Sequence, residues 1–438
     1  MSKVFPRVFG RDLPAVARAE GAVIWDTEGR RYLDAAGGAI VVGIGHGDHD
    51  VVQAMASQAR SIAYAHGTQF TSKALEAYAA ELAPFLPMAD ARIYPVSGGS
   101  EAMETALKLA RTYHLARGEP ARDRVVARWG SYHGNTLGAL DASGREPLRR
   151  PYEPWLGRAL HVPTPYEYRC PNPAHAESCG AWHVDALEKQ VREAGPETVA
   201  CFVAEPVVGA TLGAAIPPDD YWPGVQEVCR RHGILLIVDE VMTGFGRTGR
   251  WFGSDHWQIR PDILVAGKGA SSGYWPLGLA ACTGDVFDAV AEAGFVHGFT
   301  HSHSVVGAAV GRAVLARLHD GSLVEASREK GERLLKELTA SLSDDPHAGD
   351  IRGLGLMVGI ELVDHRETKR PFPRSAKAAE RVVAAARESG LLLYPSTGCA
   401  DGTDGDLVML GPPFVITDDE LGEAVDKTRV AVASLQAA

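Results

Sequence analysis

The chain has 438 residues, 45% hydrophobic and 23% charged, the make-up of a globular protein with one large core and a smaller one. Its formal net charge of −11, with no run of Lys or Arg, argues against nucleic acid or acidic membrane surfaces as partners. No apolar run approaches the roughly 20 residues that span a bilayer, the opening MSKVFPRVFGRDLPAV lacks the apolar core of a secretory signal, and six scattered cysteines do not form a disulfide framework, so a reducing cytoplasm is the expected location.

Residues 21–38, GAVIWDTEGRRYLDAAGG, alternate and turn at EGR, which predicts a hairpin. HDVVQAMASQARSIAYA and KALEAYAAELAPFL follow with helical periodicity. From about residue 90 the pattern becomes strand then helix. ARIYPV precedes the helix EAMETALKLARTYHLARG, and RVVARW, CFVAEPVV, ILLIVDEV, DILVAGK and LGLAACTG are short apolar or β-branched runs. That alternation predicts an α/β fold, with a mostly parallel mixed sheet covered on both faces. After residue 300 the helix SVVGAAVGRAVLARLHDG leads into a smaller α+β region that includes AAERVVAAARESG and DDELGEAVDKTRVAVASL. The expected division is a large domain over 61–310 and a small domain built from 1–60 and 311–438.

In open α/β sheets, ligands sit beyond the carboxyl ends of the strands, and four predicted strands end in unusual polar chemistry. Ser97-Gly98-Gly99-Ser100 follows ARIYPV and opens a long helix, where free N–H groups and the helix dipole suit an anion. An N-cap by Ser97 or Ser100, with Glu101 or Glu104, is the competing reading. Tyr132 and His133, in WGSYHGNT, follow RVVARW; the tyrosine there either stacks on a planar ligand or lies on the surface. Asp239 and Glu240 end the most apolar strand, a costly place for a carboxylate without a cation or donor. Lys268 stands between two glycines at the end of DILVAGKG, where burial lowers the pKa of an amine and makes it a nucleophile or base; the alternative is a structural ion pair with Asp239.

Three other patterns carry less. GFGRTG spells a dinucleotide fingerprint, but RWFGSDHW after it does not start a helix. GKGA lacks the Ser/Thr and the upstream glycine of a P-loop. CPNPAHAESC offers Cys170, His175 and Cys179, with His183 beyond, but not the paired C-x2-4-C spacing of structural zinc sites, so it reads as a loop and no metal is assigned.

A phosphate cradle, an aromatic stacker, a carboxylate and a nucleophilic lysine together match the needs of pyridoxal 5′-phosphate. The lysine forms the Schiff base, and the carboxylate keeps the pyridine nitrogen protonated. With these residues in order, the chain resembles the class III pyridoxal-phosphate-dependent aminotransferases of fold type I. The resemblance runs from GAVIWDTEGRRYLDAAGG and GHGDHDVVQAM through SGGSEAMETALKLAR, YHGNT, AEPVVG, VDEVMTGFGRTG and GKG to GPPFVITDDEL.

The resemblance implies roles by position. Gly99 and Ser100 bind the phosphate, Tyr132 and Val241 cover the two faces of the ring, and Asp239 meets its nitrogen. Lys268 forms the Schiff base and shuttles the proton. Thr300, in HGFTHSH, reaches the phosphate of a second subunit, which implies a homodimer with shared active sites. Glu205 lies near the substrate. The expected reaction is ping-pong transfer of an amino group from an amine to a keto acid or aldehyde. Racemases, aminomutases and a decarboxylase share the scaffold, and a catalytically silent binding protein is the remaining alternative. Two departures bear on the substrate. Met242 replaces a common glutamine. Met409 stands three residues before Pro412-Pro413 and Tyr394 just after an apolar run, where carboxylate-binding arginines are found in relatives.

Overall fold

The computed structural model describes residues 3–10, 12–172, 174, 175 and 179–437; within CPNPAHAESC, Pro173, Ala176, Glu177 and Ser178 lie outside the described residues. At its centre is a seven-stranded sheet. Its spatial order is Arg92–Val96, Gly278–Cys282, Ile263–Ala266, Leu235–Asp239, Val199–Ala204, Arg124–Arg128 and Ala159–Val162. The five strands from Ile263–Ala266 to Ala159–Val162 pair in parallel. Gly278–Cys282 runs antiparallel to both of its neighbours.

Every residue of Val199–Ala204, Leu235–Asp239, Ile263–Ala266 and Gly278–Cys282 is buried. These runs lack alternation because both faces are covered, as parallel sheets require. The helix Gly99–Ala116 lies on one face, against several central strands. On the other side, Tyr221 and Trp222 of the helix Tyr221–His232 pack into one core with Phe202, Leu236 and Val238.

Two smaller sheets flank this core. The hairpin Val23–Asp26 and Arg31–Asp34 pairs in parallel with Leu391–Leu392, so the two ends of the chain share one sheet. The other sheet contains Ala348–Gly353, Val358–His365, Asp406–Leu410 and Tyr394–Thr397. GFGRTG folds into turns, not the start of a helix. Its arginine, Arg247, is buried and donates to the carbonyls of Val42 (3.1 Å), Leu356 (2.9 Å) and Pro412 (2.8 Å). The motif thus ties the terminal segments to the large sheet. Among the described residues, no helix is long and apolar enough to cross a membrane.

Candidate active site

The carboxyl ends of the strands converge as the sheet topology demands. Beyond Ile263–Ala266 the chain turns, and Lys268 takes φ 39°, in the left-handed region. Gly269 is needed there, since a Cβ on it would lie 2.9 Å from the Cβ of Phe245. The surrounding protein strips water from the Lys268 amine and brings its pKa down from 10.5 to about 8, against the opposing pull of Asp239 and Glu205.

Asp239 ends the strand Leu235–Asp239 and is 3% exposed. Its Oδ2 accepts from His133 Nδ1 at 2.7 Å, and its Oδ1 accepts from the N–H of Val241 at 3.0 Å. The His133 Nε2 is buried with no hydrogen-bond partner. Glu240, the next residue, points elsewhere. It accepts from the N–H groups of Gly253 (2.8 Å) and Ser254 (2.7 Å) and from the hydroxyls of Ser254 and Thr243, capping a short helical turn. The adjacent carboxylates therefore serve different ends, one structural and one facing a cavity.

Glu205 follows Val199–Ala204, also buried, with its Oε2 unpaired. Burial pushes its pKa up to about 7, helped by the nearby Asp239. The helix Gly99–Ala116 begins after Gly98, whose backbone is extended, and no side chain caps it. Ser100 instead exchanges hydrogen bonds with Asn135, through Oδ1 at 3.0 Å and the N–H at 3.1 Å. The N-cap reading fails, and the first-turn N–H groups stay available to an anion.

A cavity of about 180 Å³ gathers Gly99, Ser100, Tyr132, Glu205, Asp239, Val241 and Lys268 on its wall, with His133, Gly134, Ala210 and Met242. Gly134 keeps the cleft open at φ 142°, where a Cβ would fall 2.6 Å from Ser100 Oγ. Three sequence-predicted residues are not on this wall. Thr300 lies in an exposed loop that lines a separate cleft with Tyr64 and His66. Met409 is fully buried on Asp406–Leu410, paired with Gly359 and Tyr394, and packs behind the wall. Tyr394 is half-buried and close enough to Tyr132 to raise its hydroxyl pKa, after the larger effect of burial.

Sequence reasoning missed two residues. His133 stands beside Tyr132 in the segment after the strand Arg124–Arg128, and the sequence alone gives it no role. Arg145 carries no mark in its loop either. It lines an adjoining cavity of about 310 Å³ with Trp129, Tyr166, Arg169 and Cys399, and its Nε is buried without a partner. Burial lowers its pKa, with Tyr394 and Tyr132 as the nearby groups that oppose the shift.

The aminotransferase class-III family model matches residues 10–432. The chain is a class III aminotransferase. The enzyme is 36% identical over 425 residues to the uncharacterised aminotransferase YodT of Bacillus subtilis, covering 97% of this chain and 96% of that one. It is 32% identical over 420 residues to putrescine–pyruvate aminotransferase of Pseudomonas aeruginosa, covering 94% and 89%. Among solved structures it superposes on an (S)-enantioselective omega-transaminase from Thermomicrobium roseum, with a TM-score of 0.93, 34% identity and 99% and 96% coverage. An amine transaminase from an uncultivated Pseudomonas species, in a PLP-bound form, gives a TM-score of 0.92 at 34% identity, with 99% coverage of each chain.

The aminotransferase thus has the fold-type-I α/β architecture and the pyridoxal-phosphate dependence of its family. Its donor set fits that cofactor: an uncapped helix N-terminus for a phosphate, an amine of lowered pKa, and a hydrogen-bonded carboxylate across the same cavity. When bound, pyridoxal phosphate supplies a carbonyl that captures amines and a ring that accepts electron density. The protein's part is to orient, exclude water and move a proton. Lys268 Nζ, with its pKa brought down to about 8, is the amine on this wall suited to carry a proton.

Proposed function

We propose that the enzyme transfers the amino group of an aliphatic primary amine to a short keto acid, with pyridoxal phosphate in the Lys268 cavity. One observation carries this reading: the Lys268 amine and the His133-braced Asp239 carboxylate share the wall of one cavity. Lys268 holds the cofactor and moves the proton between the substrate carbon and the cofactor. Asp239, kept in place by His133, faces the ring nitrogen. Tyr132 and Val241 take the two faces, and Gly99 and Ser100 receive the phosphate.

The substrate assignment rests on three supports. No arginine is among the described residues that line the Lys268 cavity, so its wall offers no guanidinium for a second carboxylate on the donor. Glu205 keeps an unpaired buried oxygen suited to an ammonium or polar group. Arg145, with its free Nε in the adjoining cavity, suits the single carboxylate of the acceptor. The relative named for putrescine and pyruvate points to the same pair of classes, a diamine or monoamine donor and pyruvate as acceptor.

Thr300 supports a homodimer. It sits outside its own chain's cavity on a loop where Val296 is 98% exposed, as expected of a residue that reaches a second subunit. Six free cysteines and no candidate membrane helix among the described residues fit the cytoplasm.

The test is a panel of primary amines and α-amino acids as donors, against pyruvate, 2-oxoglutarate and aldehydes, with each half-reaction followed by cofactor absorbance. Aliphatic amines with pyruvate should give the highest kcat/KM. Amino-acid donors with 2-oxoglutarate far ahead of that pair would refute the substrate assignment. Amino-acid racemisation without any acceptor would refute transamination itself.

A further inference from the structure

The described cysteines and histidine of CPNPAHAESC come together in three dimensions. One ligand atom each from Cys170, His175 and Cys179 lies within 4.8 Å of the others. His175 Nδ1 is 2.7 Å from Cys179 Sγ. A fourth candidate stands beside these three, at the Cys170 end, and would swing in to complete the set: His183 Nε2 is 3.7 Å from Cys170 Sγ. Helix geometry brings it there. Cys179 is the N-cap of Gly180–Ala194, and His183 stands one turn on, with its N–H bonded to the Cys179 carbonyl at 3.1 Å.

Tetrahedral zinc with Zn–S near 2.3 Å and Zn–N near 2.0–2.1 Å places neighbouring sulfur and nitrogen ligands about 3.5 Å apart. The Cys170–His183 separation is close to that value, and the His175–Cys179 pair needs to open by less than an ångström. The surroundings suit a metal-bound thiolate. Asn172 Nδ2 donates to Cys179 Sγ at 3.4 Å, and the helix N-terminus favours negative charge on that sulfur. The buried Nδ1 of His183 lacks a well-aligned hydrogen bond, with the Pro163 carbonyl as the nearby acceptor that would fix the ring. Cys179 and His183 are buried, whereas His175 is exposed and leaves a path for an ion from solvent.

We propose that Cys170, His175, Cys179 and His183 form a structural zinc site. Two thiolates and two neutral imidazoles balance the charge of Zn²⁺, and binding releases the two thiol protons to solvent. Soft sulfur with imidazole in a four-ligand set selects zinc over magnesium or calcium. All four positions are taken by protein, so the ion ties chain together and does no chemistry. The chain that it ties is the outer wall of the Arg145 cavity: Pro163, Thr164, Tyr166, Arg169 and Pro171 line that cavity just ahead of the first two ligands or beside them. The clasp fixes this wall to the start of the helix Gly180–Ala194.

The test uses full-length holoenzyme produced with zinc in the medium, desalted and assayed for metal and cofactor. About one zinc per chain is expected. Cys170→Ser and His183→Ala should each reduce it to below about one tenth, with cofactor content unchanged. A second measurement needs no variant: in wild-type enzyme, zinc should protect two of the six thiols from a thiol reagent, and a chelator should expose them. Wild-type enzyme that takes up no zinc overturns the proposal. So does zinc retained by both variants, or a Cys170–Cys179 disulfide as the state of the freshly purified enzyme.

Discussion

The Lys268 cavity and the larger Arg145 cavity beside it are walled by different kinds of structure. The first is made from strand ends and a helix N-terminus: Asp239 closes one buried strand, Lys268 follows another, and Gly99 opens the long helix. The second is made from connecting segments, including residues 144–147, 163–171 and 397–402. Sheet geometry holds the parts of the first in fixed register, as a cofactor site requires. Loops can change without disturbing the sheet, so the second cavity is the freer of the two to vary.

The comparison breaks first, and most severely, at Lys268. Lys268→Ala should lower the turnover of transamination by about 10⁴-fold or more, since nucleophile and proton carrier go together. The same variant should unfold at an unchanged or higher temperature. Near wild-type turnover in steady-state assays would remove the cavity from consideration as the catalytic one. Asp239→Asn comes next, with an expected loss of about 10²- to 10³-fold in kcat/KM, because a neutral amide cannot stabilise a cationic ring nitrogen. A matching loss from Glu240→Gln would erase the distinction between the two carboxylates. Glu240→Gln should act on stability instead, through the donors that it caps, at a cost of about 1–3 kcal/mol in urea unfolding.

The loop-built cavity should respond more selectively. Arg145→Met is expected to lower kcat/KM for pyruvate about 10- to 100-fold, the effect of one lost charged hydrogen-bonding partner, and to leave an aldehyde acceptor nearly unaffected. Equal losses for both acceptors would place Arg145 in the scaffold. The mildest effect is that of pH on the cofactor-free chain. With the Lys268 pKa lowered to about 8, the neutral amine grows as pH rises toward that value. Capture of pyridoxal phosphate should quicken about tenfold per pH unit below it and level off above. Because the unfolded lysine keeps its proton up to 10.5, stability from this group should rise, not fall, between about pH 8 and 10.5.

What the sequence discloses follows the same division. Lys268, Asp239 and Gly99–Ser100 are legible because each interrupts a buried apolar pattern at an element's end, where only special chemistry tolerates a charge or a pair of glycines. The strands that carry them are legible for the same reason. The edge strand Ala159–Val162 is short, only partly buried and weakly patterned, and is missed. Met409 illustrates the limit of placing a residue by its distance from a motif. Its position before Pro412-Pro413 suggests a pocket residue, yet the register of Asp406–Leu410 turns it into the core. Arg145 is hidden for the opposite reason: it lies in an irregular segment whose path no local periodicity encodes. His133 needed its partner, Asp239, 106 positions away, to acquire a meaning.

The parallel pairing of Arg31–Asp34 with Leu391–Leu392 also constrains how the enzyme is made. Arg30 bonds to the carbonyl of a residue 357 positions further on. At about 5–20 residues per second, the ribosome delivers that partner about 20 to 70 seconds after the hairpin has emerged. Until then the Arg31–Asp34 edge lacks its native neighbour, and an unpaired strand edge is a template on which another chain can pair.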